Sequence, residues 1–161
     1  MAVTTVESTQ YAQVYSTNPP TLQRPGDWGG SLKVAYFSQT ATGAGDTGST
    51  ITLAKIPPGK CRLLLQSSVI QSTMSGDVDL GWGAYTNVDG TAVDADADGL
   101  VDGQTLSTGT LANFTSVAAL VATGGTKLFD SKEGVDIKLM FQGAGVASSD
   151  VTSGYLVYVQ L

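Results

Sequence analysis

The chain has 161 residues, with 14 Asp and Glu against 8 Lys and Arg, one Cys and no His. Without His, the Ser-His-Asp, Cys-His and His-metal chemistries are excluded within this chain. The net charge of −6 speaks against a nucleic-acid partner, and no apolar run approaches the roughly 20 residues that span a membrane. The sequence near Met1 also lacks the pattern of a secretory signal. We expect one soluble, non-enzymatic domain that needs no cofactor.

The first 27 residues differ in character from the rest of the chain. They are rich in Thr, Ser and Gln and have too few apolar side chains to close a core. A poorly ordered terminus is one interpretation. The other is an arm that docks on a neighbouring molecule, through large amphipathic side chains and prolines that lower the entropy lost on docking. The residues that would make this contact are Tyr11, Tyr15, Pro19, Pro20 and Trp28. We therefore divide the chain into an extended N-terminal arm, 1–27, and a domain, 28–161.

After the arm, short apolar segments alternate with polar residues at the period of two that a β-strand imposes. In the first of them, Leu32, Val34 and Tyr36 share one face. The other segments with this alternation are 51–53, 78–82, 135–141 and 155–159. Clusters of Gly, Pro, Asp and Ser separate them, which predicts an all-β sandwich or barrel.

Two segments depart from this alternation. Residues 61–70 are apolar on both faces, which predicts one long strand that is central in a sheet or lies at a subunit interface. Cys61, at its start, is best explained as a small buried hydrophobe. Residues 106–121 are the only stretch with the spacing of a short helix, although Gly109 and several β-branched residues oppose it.

An acidic segment is the most specific local signal. Its carboxylates alternate as in the first half of a calcium-binding loop, in which Asp side chains converge on one hard cation around a Gly. The candidate ligands are Asp94, Asp96, Asp98 and Asp102. The bidentate Glu of such a loop is replaced by Thr105, so the alternative is a surface loop whose Asp side chains accept hydrogen bonds from turn N–H groups. Residues 63–126 carry seven Asp and no basic residue, so the chain outside them sums to +1.

The strand predicted over residues 78–82 offers two further interpretations. Asp77 and Asp79 share a face, and two carboxylates at suitable separation are enough for a glycosidase. Alternation towards solvent explains both acids without catalysis, so we expect them to be exposed. Trp82 could stack on a sugar, but it lies in register with Val78 and Leu80, which favours a place in the core.

Several of these segments together resemble a known family. They are the arm with its tyrosines, followed by 29–37, 51–59, 78–85, 89–91 and 98–100. In this order they resemble the head decoration, or cement, proteins of tailed bacteriophages. The resemblance runs from about residue 10 to the end of the chain and consists of turns and strand patterns rather than catalytic motifs.

The resemblance implies a single jelly-roll-like antiparallel β-sandwich that forms a homotrimer. Such a protein would be made in the host cytoplasm and would bind the outer surface of the virion, clamping the major capsid protein, with the arm as its contact. It would not be an enzyme and would bind neither nucleic acid nor membrane. The alternative from the residues is a calcium-dependent carbohydrate-binding or adhesive module of a fibre or tail, built on the acidic segment and Trp82. The trimer-facing or core surfaces would be 63–70 and 155–161.

Overall fold

The computed structural model describes residues 5–7, 11–16, 18, 32–42, 45–73, 76–106, 111–113, 124–142 and 146–161. The strands are β1 (Thr5–Glu7), β2 (Leu32–Thr40), β3 (Thr50–Ile56), β4 (Gly59–Leu64), β5 (Val69–Ser72), β6 (Gly76–Trp82), β7 (Tyr85–Thr86), β8 (Ala92–Val93), β9 (Asp96–Leu106), β10 (Leu111–Asn113), β11 (Thr126–Ser131), β12 (Val135–Phe141) and β13 (Val151–Gln160). One π-helical turn, Ala12–Ser16, and one 3-10 turn, Leu65–Ser67, complete the described elements.

These strands form two sheets and one small hairpin. The first sheet has the order β1-β3-β12-β6-β9. In the second sheet, β13 pairs with β2 along one edge and with β4 and β5 along the other, while β11 and β10 extend β4 and β5. The hairpin consists of β7 and β8. Every pairing between described strands is antiparallel except that of β1 with β3.

The two sheets bury their apolar faces against each other. The core draws fully or nearly fully buried side chains from both: Phe37, Leu53, Ile56, Leu63, Ile70, Leu80, Val101, Phe129, Ile137, Leu139 and Leu156. In β12 the burial alternates strictly, as expected for a strand with one face in the core. The predicted fold, an antiparallel jelly-roll-like β-sandwich, is confirmed.

The prediction of one long strand over residues 61–70 is wrong, because the chain breaks at the 3-10 turn. The hydroxyl of Ser68 donates to the Leu64 carbonyl oxygen at 3.0 Å and accepts from the Val157 amide at 3.1 Å. This hydroxyl replaces a ladder hydrogen bond where β4 ends and β5 begins, so both strands can follow β13. The buried positions of Leu63 and Ile70 confirm that the segment is central.

The predicted helix over residues 106–121 is also wrong where the structure describes it. Leu106 is the last residue of β9, and residues 111–113 form β10, which pairs antiparallel with β5. Pairing with a neighbouring strand supplies hydrogen bonds that a Gly-containing, β-branched helix would make less well. Residues 107–110 and 114–121 lie outside the described residues.

Asp79 does not face solvent as expected. Its side chain is fully buried, whereas Asp77 is exposed. Asp79 Oδ1 accepts a hydrogen bond from the Gly103 amide at 2.9 Å, and its Oδ2 accepts one from the Gln142 side-chain amide. A buried carboxylate needs such donors. Asp79 therefore fixes the irregular middle of β9 against β6.

Beyond Asp79, β9 bulges over β6. Leu80 pairs with Val101 and Trp82 with Asp96, so four residues of β9 stand opposite Gly81 alone. A Cβ atom on Gly81 would lie 1.9 Å from the Asp96 carbonyl oxygen. The bulge therefore requires glycine at position 81, because the Asp96 carbonyl oxygen occupies the space that a side chain would need.

Replacing Gly81 with Ala should destabilise the domain by about 2–3 kcal/mol, because a methyl group cannot fit without shifting β9. Gly83→Ala is the matched control, since the nearest atom to its Cβ would be the Cε of the flexible Lys138 side chain at 3.3 Å. Chemical denaturation of both variants measures the difference. Equal midpoints would contradict the close contact between the two strands.

Candidate interaction sites

The described segment 11–16 of the arm lies against the outer face of the first sheet. The ring centres of Tyr11 and Tyr15 are 5.1 Å apart. The Tyr11 hydroxyl donates to Asp136 Oδ2 at 3.4 Å, and Lys55 Nζ lies 5.0 Å from the centre of the Tyr15 ring. Lys55 and Asp136 are register partners on β3 and β12, with Nζ and Oδ1 3.7 Å apart. We call these four residues the arm clasp.

Burial and acidic neighbours hold the tyrosines of the arm clasp in the neutral form. Burial, followed by the charges of Asp136 and Glu7, raises the pKa of Tyr11 to about 12. Burial and the charge of Asp136 also raise the pKa of Tyr15. A phenolate at either position would be repelled by the Asp136 carboxylate, so the clasp needs protonated hydroxyls.

Of the residues predicted to contact a capsid, the structure describes two. Tyr11 and Tyr15 contact each other, and both contact the sandwich of their own chain. Pro19, Pro20 and Trp28 lie outside the described residues, as does the predicted boundary between 27 and 28. Contact of these five residues with a capsid stays a prediction.

The acidic segment leads into a strand, and within it the Asp96 carboxylate accepts hydrogen bonds from the backbone of Asp98 and Gly99, as the turn-based alternative expected. Asp96 is the first residue of β9, and the Trp82 indole N–H donates to the Asp94 carbonyl oxygen at 3.2 Å. A Cβ atom on Gly99 would lie 2.4 Å from the Trp82 ring. Contact with the Trp82 ring and the local hydrogen bonds to Asp96 therefore set the backbone of this segment together.

The four predicted calcium ligands are all described residues. Asp94, Asp98 and Asp102 are exposed, and Asp96 is partly buried. In the described part of the chain, no group of three or more Asp, Glu, Cys or His side chains is arranged to hold a metal ion. Asp96 and Asp98 do interact: burial first, and then the hydrogen bond and charge of Asp98, raise the pKa of Asp96. Calcium binding by this segment stays a prediction.

Trp82 lies in the core, as its register indicated. Its ring is 7% exposed and meets the Phe129 ring edge to face, with 5.7 Å between their centres. Lys127 Nζ lies 4.3 Å from the centre of the Trp82 ring, a cation-π contact. Because protein atoms cover the ring, Trp82 does not offer a free face to a sugar.

An exposed apolar surface lies on the outer face of the second sheet. Leu32, Val34 and Tyr36 of β2 are 61%, 46% and 66% exposed. The Tyr36 ring lies 6.0 Å from that of Tyr155, its register partner on β13. We call these four residues the β2 strip. The alternation in the sequence grouped the three β2 residues correctly, but both faces of that strand are largely apolar, so it did not show which face is exposed.

Two further observations concern the Cys61 thiol and membrane-spanning helices. Cys61 is buried, and burial raises the pKa of its thiol, as expected for a hydrophobe rather than a nucleophile. Among the described elements there is no helix that is both long and apolar enough to cross a membrane.

Two solved structures share this fold over nearly the whole chain. A chain in the capsid of Ralstonia phage GP4 matches with a TM-score of 0.65 and 16% identity, covering 98% of this chain and 98% of that one. A chain in the capsid asymmetric unit of cyanophage Pam1 matches with a TM-score of 0.51 and 16% identity, covering 90% of this chain and 96% of that one. No protein-family model and no curated protein matches the sequence.

The arm clasp should open as the pH rises from about 10 to about 12. The pKa of Tyr11 is raised in the folded state, so its protonated hydroxyl contributes to the stability of the clasp. This contribution is fully present below the ordinary tyrosine pKa of 10.0 and is lost as the pH passes about 12. The difference between the tyrosinate absorbance titrations of the wild-type protein and the Tyr11→Phe variant should show a step near pH 12. A step near pH 10 would contradict the clasp.

Asp98→Asn should raise the melting temperature at pH 7 by about 1 °C, because it removes a negative charge beside Asp96. The pKa of Asp96 is raised in the folded state, so ionisation of Asp96 lowers the free energy of unfolding once the pH exceeds the ordinary pKa of an Asp side chain. In strong acid Asp96 is protonated in both states and the free energy of unfolding does not change. The difference in melting temperature between the wild-type protein and the Asp98→Asn variant should therefore vanish near pH 3.

If the segment binds Ca²⁺, calorimetric titration should show binding of the ion to the wild-type protein and not to the Asp98→Asn variant.

Proposed function

We propose that this chain is a non-enzymatic structural protein of a virus particle, a capsid decoration protein. It binds the outer surface of the major capsid protein lattice as a homotrimer and stabilises the head. The observation that carries the proposal is the match to a chain of a phage capsid structure over 98% of both chains. Because the match covers nearly all of both chains, it favours the same kind of role for both.

The surfaces of the molecule support a part in assembly rather than in catalysis. The β2 strip is an apolar surface without a charged side chain among its four residues, and such a surface favours association between proteins. It is our candidate for the trimer interface, in place of residues 63–70, whose large apolar side chains fill the core. The arm is the candidate for contact with the lattice.

The acidic segment has a place in this proposal. Asp98 and Asp102 are exposed on β9, the strand at the edge of the first sheet, and Asp94 is exposed just before it. Carboxylates on the outer surface of a particle would repel other particles and keep them dispersed. A calcium-dependent carbohydrate-binding module has less support, because the Trp82 ring is covered.

Binding to capsids that lack the protein tests the function. Full-length protein should sediment with such capsids to saturation, and a variant without residues 1–27 should not, because the arm supplies the lattice contact. Since that deletion also removes β1, the double variant Tyr11→Ala and Tyr15→Ala provides a milder test that should weaken binding at least tenfold. Val88→Asp, at an exposed position of the hairpin, is the control and should bind normally. Failure of the full-length protein to bind would overturn the proposal.

A further inference from the structure

A cleft opens where β1 lies beside the edge of β3. A narrow gap, part of it open to solvent, lies there between the ends of the two sheets. The walls are mainly apolar and come from β1, β2, β3, β12 and the segment before β13: Val6, Ala41, Ile51, Phe141 and Val146. The cleft continues the core to the surface of the sandwich, and the wall that closes it on one side is the three-residue strand β1.

One polar side chain in this cleft is unsatisfied. Gln39 is only 7% exposed and lines the cleft, and its Oε1 has no hydrogen-bond partner among the described residues. Buried acceptors of this kind normally have a donor. None of the described residues, those of β1 included, donates to this oxygen, so the oxygen adds a polar point to the cleft and does not itself select an occupant.

β1 forms one side of the cleft by pairing with the edge of β3. It pairs with β3 in the register Thr5 with Thr50, Val6 with Ile51 and Glu7 with Thr52. Val6 lines the cleft, so β1 satisfies the backbone edge of β3 and supplies one apolar side chain to the pocket. The cleft with the adjoining edge of β3 is thus a strand-acceptor site.

The connection of β1 to the domain does not fix which copy of the chain supplies the strand. Residues 8–31 separate β1 from β2, and 24 residues can reach about 80 Å when extended. A parallel pairing has no tight turn that would bind the two strands into one unit. The contact is also short, with three residues in register, and the arm clasp would travel with it.

We propose that, in the assembled oligomer, the strand-acceptor site takes β1 of a second copy of this chain. Exchange preserves every contact that β1 and the arm clasp make, and it adds a mechanical link between copies. In an oligomer, a neighbouring arm is present at an effective concentration similar to that of the chain's own arm. This inference rests on the homotrimer of the proposed function, and it concerns contacts between copies rather than contacts with the lattice.

Cysteine pairs at register positions test the exchange in the full-length protein. In a Cys61→Ala background, Glu7→Cys with Thr52→Cys places two thiols on paired residues of β1 and β3. After oxidation, or treatment with a short bifunctional thiol reagent, exchange should give covalent multimers on a denaturing gel. Thr86→Cys with Ala92→Cys, paired within the β7–β8 hairpin, is the control and should give only internally linked monomers.

The outcomes separate this inference from the proposed function. If light scattering shows a trimer but the chains are linked only internally, exchange is wrong and the trimer stands. If the protein is a monomer, both the trimer and the exchange are wrong. Thr5→Cys with Thr50→Cys provides a second register pair. If neither cysteine pair forms a link, β1 does not occupy the site. If β1 is instead cross-linked to the capsid protein when the protein is bound to capsids, the proposed occupant is wrong.

Discussion

The second sheet depends on its last strand. β13 hydrogen-bonds to β2 along its whole length on one side and to β4 and β5 in succession on the other. Gly154 lets β5 approach, since a Cβ atom there would lie 2.1 Å from the Val69 carbonyl oxygen. In the described part of the chain, β2, β4 and β5 are therefore held in one sheet through the final strand. The sandwich is dominated by non-local pairings, which is the topology of slowly folding β-proteins.

The strands of this sandwich could largely be predicted from the sequence, because one face of most strands lies in the core. Residues 135–141 alternate in sequence and in burial alike. The break between β4 and β5 could not be predicted, because it depends on the hydroxyl of Ser68 meeting the Val157 amide, 89 residues away. The burial of Asp79 has the same cause, since its donors come from Gly103 and Gln142.

The candidate sites were predictable to different degrees. Composition set the first 27 residues and their tyrosines apart from the rest, but nothing in the sequence indicated that Tyr11 would meet Asp136, 125 residues away. The spacing of the aspartates suggested a loop built by local hydrogen bonds. The structure shows such hydrogen bonds at Asp96, and it adds contacts with the Trp82 ring and Gly81 that no local pattern indicated.

The free edge of β2 has a consequence for the isolated protein. Among the described strands β2 pairs only with β13, and it is nine residues long with an apolar outer face. Its one charged side chain, Lys33, lies on the other face and donates to Gln160 at 3.2 Å. Proteins usually protect a long edge with charges, proline or a covering segment. An apolar edge of this kind favours edge-to-edge aggregation, so the solubility of the protein during expression depends on whether that edge is covered.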